Sequence, residues 1–140
     1  MSDQEDQPLP NNQQSPLLVG KKVLVVDDEP DIRDLISFIL EDYGVEVIAV
    51  TSAAEALDIL CDSLPDILIS DIGMPEIDGY MLMRQVREQP PHQGGNIPAI
   101  ALTAYAGEIN QQQAMAAGFQ LHISKPVDPD ALIVAIASLI

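Results

Sequence analysis

Val23-Leu24-Val25-Val26-Asp27-Asp28 and, further along, Ile67-Leu68-Ile69-Ser70-Asp71 are short apolar runs that each end in acid. Runs so brief and so continuous suit strands buried on both faces, as in a parallel sheet covered by helices. The segment after the first run predicts a helix, with Ile32, Leu35, Ile36, Ile39, Leu40 and Tyr43 at three- and four-residue steps. Gly44 stops it, and Val45 to Val50 follows as a second strand. Ser52 and Glu55 have capping-box spacing, with Ala53, Ala54, Leu57, Leu60 and Cys61 along one helical face and Pro65 at its end.

The alternation continues past Asp71. Asp78-Gly79 precedes a helix from about Tyr80 to Glu88, with Leu82, Met83 and Val86 inward. Pro90 to Gly95 reads as a loop, and Ile97 to Leu102 as a fourth strand ending at Thr103. A Gln-rich helix from Glu108 to Ala117 closes at Gly118, and a strand from Phe119 to Ser124 ends at Lys125. Asp128-Pro129 starts the last helix, whose inward stripe is Leu132, Ile133, Ile136, Leu139 and Ile140. Strands separated by helices pair in parallel through right-handed crossovers. The expected fold is α/β: a doubly wound (βα)5, flavodoxin-like sandwich on a five-stranded parallel sheet.

The 140 residues suit one domain. Met1 to Pro16 is rich in Gln, Asn, Asp, Glu and Pro, so residues 1–19 are expected to be a disordered tail, with the folded domain at 20–140. A net charge of -16 repels nucleic acid and anionic membrane and favours metal ions and basic partner surfaces. The single cysteine, Cys61, excludes an internal disulfide, and with two histidines a zinc site is not expected. Cys61 reads as a buried helix residue rather than a reactive thiol. The chain has neither a membrane-length apolar run nor a secretory signal pattern, and a reducing cytoplasm fits.

Ligands of open parallel sheets bind outside the carboxyl ends of the strands. Those ends carry Asp27, Asp28, Asp71, Thr103 and Lys125. Any one of them has an ordinary explanation as a turn residue; their coincidence at one edge does not. Clustered carboxylates repel, and a hard divalent cation such as Mg²⁺ relieves the repulsion through carboxylate oxygens, waters and a phosphate oxygen. Aspartate is a competent nucleophile toward phosphorus. Phosphoryl transfer then needs alignment and neutralised charge on the equatorial oxygens, which a metal, a hydroxyl and an ammonium supply.

Residues 22–139 resemble response-regulator receiver domains of two-component systems. The resemblance rests on Val25-Val26-Asp27-Asp28-Glu29-Pro30, Asp71-Ile72-Gly73-Met74-Pro75 with Asp78-Gly79, Ala101-Leu102-Thr103-Ala104 and Lys125-Pro126. It implies that Asp71 is the phosphoacceptor and that Mg²⁺ or Mn²⁺ is held by Asp28 directly, Asp27 largely through water, Asp71, and the backbone carbonyl of Gly73. It also implies that Thr103 is the switch hydroxyl, that Lys125 binds the phosphoryl group, and that Pro126 follows a cis bond. Pro75 and Gly79 shape the loop after Asp71. The donor would be a sensor histidine kinase or a histidine phosphotransfer protein, and the output an unidentified protein target. A homodimer through the fourth helix, fifth strand and fifth helix also fits the family.

Three places depart from the family. His122 stands where the family has Tyr or Phe, so it is either a pH-sensitive switch or a strand histidine with no switching part. Gly73 and Tyr105 occupy positions that tune loss of the phosphoryl group, and their pairing predicts a long-lived phosphoryl state. From Ala131 to Ile140 no residue is charged, and Val134, Ala135 and Ala137 should face outward. That face reads as a contact surface, or as a tolerated small-residue face. The expected function is a stand-alone response regulator, or a carrier in a phosphorelay, that catalyses only its own phosphorylation and dephosphorylation. An Asp-nucleophile phosphatase of the haloacid dehalogenase type needs a second acid two residues after its nucleophile, which neither Asp71 nor Asp27 has. A flavodoxin would need a phosphate loop rich in Ser, Thr and Gly where Asp27-Asp28-Glu29 stands.

Overall fold

The computed structural model describes residues 18–73, 78–103 and 111–140. Its strands are β1 (Lys22–Val26), β2 (Glu46–Val50), β3 (Ile67–Asp71), β4 (Ala99–Thr103) and β5 (Leu121–Ser124). Its helices are α1 (Pro30–Glu41), α2 (Ala53–Ser63), α3 (Gly79–Arg87), α4 (Gln111–Ala117) and α5 (Pro129–Leu139). All the pairings are parallel, in the order β2-β1-β3-β4-β5. This is the doubly wound sandwich that the strand-helix alternation predicts. The start of the fourth helix expected at Glu108, and the tail up to residue 17, lie outside the described residues.

Alternation along the strands builds two cores. Val23, Val25, Ile67, Ile69, Ile100 and Leu102 pack with Ile36, Leu40, Leu132 and Ile136 of α1 and α5. Leu24, Val26, Leu68, Ala99 and Ala101 pack with Leu60, Leu82, Met83 and Val86 of α2 and α3. Every residue of β3 and β4 is buried, as strands covered on both faces must be.

The punctuation of the helices follows the side-chain chemistry. Ser52, Asp78 and Asp128 accept from the backbone N–H three residues on and cap α2, α3 and α5. Glu55 reaches back to the N–H and hydroxyl of Thr51, one residue earlier than in an ideal capping box. Gly44 and Gly118 take positive φ just after α1 and α4, where a Cβ would be strained.

Several helix-face assignments shift. Cys61 is exposed, not buried. The buried face of α2 is Ala53, Ala56 and Leu60, which rotates Ala54 and Cys61 into solvent. On α1, Leu35 is exposed. Ile140 lies past the end of α5 and is exposed, while Ala135 is half-buried and packs against the core rather than facing out. Val134 alone of that face is strongly exposed, at 68%.

The start of order also moves. Leu18, expected in the tail, is fully buried with Val23, Ile39, Leu40 and Val45. Gly20 N–H donates to the Gly44 carbonyl and Lys21 N–H to that of Leu18, so this segment closes the bottom of the α1 side. Leu18→Ala is expected to cost about 2–5 kcal/mol through lost burial and a residual cavity, measured by urea unfolding. An unchanged midpoint would return Leu18 to the tail.

Candidate functional site

Register delivers the site. Val26 is level with Ser70, so Asp27 stands beside Asp71 at the ends of adjacent strands. Asp71 pairs with Leu102, so Thr103 lies one residue beyond it. Thr103 pairs with Ser124, and Lys125 N–H donates to the Thr103 carbonyl at 2.7 Å, extending the ladder by one rung. The five residues singled out from the sequence therefore converge on one edge.

Asp27 and Thr103 are fully buried and Asp71 nearly so, whereas Asp28 is exposed. Carboxylate oxygens of Asp27, Asp28 and Asp71 lie within 4.8 Å of one another. Asp27 Oδ1 accepts from Glu29 N–H at 2.8 Å, and Asp71 Oδ1 from Gly73 N–H at 3.0 Å. These bonds orient both carboxylates while leaving the second oxygen of each toward Lys125. Lys125 Nζ is 3.1 Å from Asp27 Oδ2 and 3.5 Å from Asp71 Oδ2. It is closest, at 2.8 Å, to Glu29 Oε1.

Two buried polar atoms lack a hydrogen-bond partner among the described residues: Asp27 Oδ2 and Thr103 Oγ1. The Lys125 ammonium pairs electrostatically with Asp27 Oδ2 but is not aligned to donate to it, so that oxygen keeps spare coordination capacity. Burying such atoms is costly unless a ligand answers them. Three convergent carboxylates with an unsatisfied oxygen fit a hard divalent cation such as Mg²⁺. A hydroxyl beside an ammonium fits a phosphoryl oxygen.

The electrostatics agree. Burial, and then the charge of Asp71, hold the Asp27 carboxyl above the usual aspartate range, despite the Glu29 N–H and Lys125 that pull it down. Burial works to depress the Lys125 ammonium, but the hydrogen bond to Glu29 and the nearby charges of Asp27 and Asp71 outweigh it and raise its pKa. Lys125 thus stays charged and is the cation the cluster leans on.

The loop after Asp71 has a tight geometric requirement. A Cβ on Gly79 would sit 2.5 Å from the Asp71 carbonyl oxygen and 2.7 Å from the Ile72 Cα. Gly79 lets α3 start directly against the strand end that carries Asp71, as its sequence position suggests. Pro75, Ala104 and Tyr105 lie outside the described residues. The Lys125-Pro126 peptide is cis.

Two contributors were not assigned from the sequence. Glu29 carries no local signal beyond the string Asp27-Asp28-Glu29-Pro30, and its partner is 96 positions away. Arg33 donates to the Asp27 carbonyl at 2.7 Å from one turn into α1. Its helical phase toward the strand end was its only signal.

His122 is half-buried on β5, between two concavities. One, about 220 Å³, is shared with Ala114 and Met115 of α4. The other, about 590 Å³, is shared with Ala131, Val134 and Ser138 of α5. It is therefore not a fully exposed strand histidine.

Thr103→Val removes a buried hydroxyl that has no partner among the described residues and is expected to stabilise the resting protein by about 1 kcal/mol, read by denaturant unfolding; a loss of stability would show that the hydroxyl has a partner. An acid with a raised folded pKa binds its proton more tightly in the native state. Asp27 therefore adds stability at low pH that is lost as pH rises from the ordinary aspartate pKa through its own. Without divalent metal, Asp27→Asn is expected to exceed wild type in stability at pH 7, with the gap shrinking toward acid pH and on adding Mg²⁺. A gap that does not depend on pH would sink this account.

Residues 23–137 match the family model for the response regulator receiver domain. An uncharacterised 14.6 kDa protein from Leptolyngbya boryana is 52% identical over 83% of this chain and 87% of its own length. Response regulator Rre1 of Synechocystis is 38% identical over 84% of this chain, which spans 51% of that protein. Among solved structures, the chemotaxis protein CheY4 of Vibrio cholerae superposes with a TM-score of 0.79 at 31% identity, covering 86% of this chain and 98% of that one. The receiver domain of sensor histidine kinase PA1611 of Pseudomonas aeruginosa, which has a magnesium ion coordinated in its active-site cleft, gives a TM-score of 0.77 at 27% identity, covering 86% and 98%. The fold, the register that gathers an acid cluster, a hydroxyl and a lysine at one sheet edge, and these matches agree that the chain belongs to the response regulator receiver domain family.

Proposed function

We propose that the chain accepts a phosphoryl group from a phosphohistidine donor onto Asp71 and signals through protein contact. One observation carries the reading. A buried Thr103 hydroxyl with no partner among the described residues and the Lys125 ammonium flank a nearly buried carboxylate whose neighbours are two more acids. That set answers the demands of an acyl phosphate at every oxygen.

In this reading an Asp71 carboxylate oxygen attacks the phosphorus in line. The phosphorus–nitrogen bond to the donor imidazole breaks as the phosphorus–oxygen bond forms, and the departing imidazole takes up a proton. Gly73 N–H fixes the carboxylate for attack. Thr103 donates to one phosphoryl oxygen and Lys125 to another, offsetting the charge that moves onto them. Asp27, Asp28, Asp71 and the Gly73 carbonyl would hold Mg²⁺ or Mn²⁺. When bound, the cation neutralises the acids and a phosphoryl oxygen. The chain then acts on no substrate beyond its own acceptor, and a sensor histidine kinase or a histidine phosphotransfer protein supplies the group.

The output is a change at the surface around β5. Met115, Leu121 and Val134 are exposed there at 69%, 37% and 68%, with His122 between them. An apolar rim around a half-buried side chain suits a partner or a second copy. Gly73 presents no side chain to guide water onto the phosphoryl group: a Cβ there would lie 3.7 Å from Asp71 Oδ1. We infer a phosphoryl state that outlasts seconds.

Incubation with acetyl phosphate and Mg²⁺ should add one phosphoryl mass to wild type and none to Asp71→Ala, with chelator abolishing the gain. Equal labelling of Asp71→Ala would overturn the assignment. Decay of the isolated phosphorylated protein within seconds would refute the long lifetime. Elution of both forms on a sizing column tests whether phosphorylation creates a dimer.

A further inference from the structure

Glu29 stands at the start of α1, where side chains commonly fold back onto the free N–H groups of the first turn. Ser52, Asp78 and Asp128 do so for α2, α3 and α5. Glu29 makes no capping bond. Its carboxylate extends to Lys125 and accepts from Nζ at 2.8 Å, the shortest of that ammonium's three carboxylate contacts among the described residues. The other two acids, Asp27 and Asp71, belong to the trio that converges for a cation; Glu29 does not. It adds a further negative charge to a crowded neighbourhood, so its contribution there is not neutralisation. What it changes is where the ammonium rests.

The three partners are not equivalent. The side chains of Asp27 and Asp71 are 0% and 9% exposed, whereas that of Glu29 is 58% exposed. A lysine ammonium has three donors, and here three carboxylates lie within 3.5 Å of it. Pairing with a phosphoryl oxygen requires it to release one of them. Releasing a buried carboxylate strands a charge away from water; releasing Glu29 returns an exposed carboxylate to solvent at little cost.

We propose that Glu29 is a positioning residue for phosphoryl transfer: its carboxylate detains the Lys125 ammonium at the rim of the site and is the partner the ammonium gives up to an incoming phosphoryl group. This rests on the reading of Asp71 as phosphoacceptor. Glu29 then biases the equilibrium toward the unphosphorylated arrangement, and its removal favours the phosphoryl-bound one. Because the pair is half-exposed, the bias is modest, roughly threefold.

Beryllium trifluoride, a phosphoryl mimic, reads this without turnover. Its affinity is measured by calorimetry in saturating Mg²⁺ for wild type, Glu29→Gln, Lys125→Met and the double variant. Glu29→Gln is expected to bind the mimic about threefold more tightly, and to have no effect in the Lys125→Met background. Asp31→Asn removes the same charge from the same exposed helix start and is expected to change little. An unaltered affinity in Glu29→Gln overturns the proposal. So does an equal gain from Asp31→Asn, or a gain that survives Lys125→Met, since either reports general electrostatics. The Lys125 Nζ resonance gives a second readout. It should differ between wild type and Glu29→Gln before the mimic is added and coincide once it is bound; a difference that persists overturns the exchange of partners. Absence of any Asp71-dependent binding of the mimic in wild type is a separate failure, of the phosphoacceptor reading itself.

Discussion

Asp27 and Asp71 are buried side by side and share one counter-ion, the Lys125 ammonium. Neither carboxylate can retreat from the other. Each is fixed to the end of a central strand whose preceding residues fill both cores, so separating the charges would mean breaking register. The repulsion is therefore permanent, and the cluster must be balanced by cations. Lys125 supplies one positive charge against the three carboxylates of the trio. The deficit is one that a divalent ion such as Mg²⁺ would fill.

Packing enforces the same point from beneath the site. Gly79 brings the first turn of α3 into contact with the Asp71 backbone. Arg33 ties the other strand end to α1 through the Asp27 carbonyl. Farther out, Arg87 donates to the Gly95 and Gly118 carbonyls at 2.9 and 2.6 Å, linking α3 to the loops on either side of β4 and α4. Strand ends pinned in this way hold their carboxylates within narrow limits, as a site that works by preorganised charge requires.

How much of this was legible in the sequence depends on the range of the interaction involved. Asp27, Asp71, Thr103 and Lys125 could be read because each terminates an apolar run, and parallel strands carry their ends to one edge. Ser52 and Asp128 could be read as caps because capping is local. The buried face of α2 could not. Leu57 and Leu60 bracket two plausible phases, and only contact with the sheet selects Ala56 over Ala54 and turns Cys61 outward. Leu18 was hidden by the polar composition of the stretch before it, although a single leucine suffices to close a core. The Glu29–Lys125 pair joins residues with nothing local in common, and exposed acids beside strand ends are ordinary.

The route from site to surface follows from which strand is free to move. The central strands β3 and β4 are buried throughout, whereas β5 is a four-residue edge strand with one neighbour. Lys125 is the residue that continues β5, and its N–H is bonded to the Thr103 carbonyl. A phosphoryl group that draws both the Thr103 hydroxyl and the Lys125 ammonium toward Asp71 therefore pulls on two backbones already joined to each other. The strain is relieved most easily at the edge, where displacing β5 disturbs the fewest buried contacts. His122 lies on that strand, three residues before Lys125, between two open concavities. Under the proposed phosphorylation, a ring on the strand with least to lose would turn a local change of charge into a change of shape between α4 and α5.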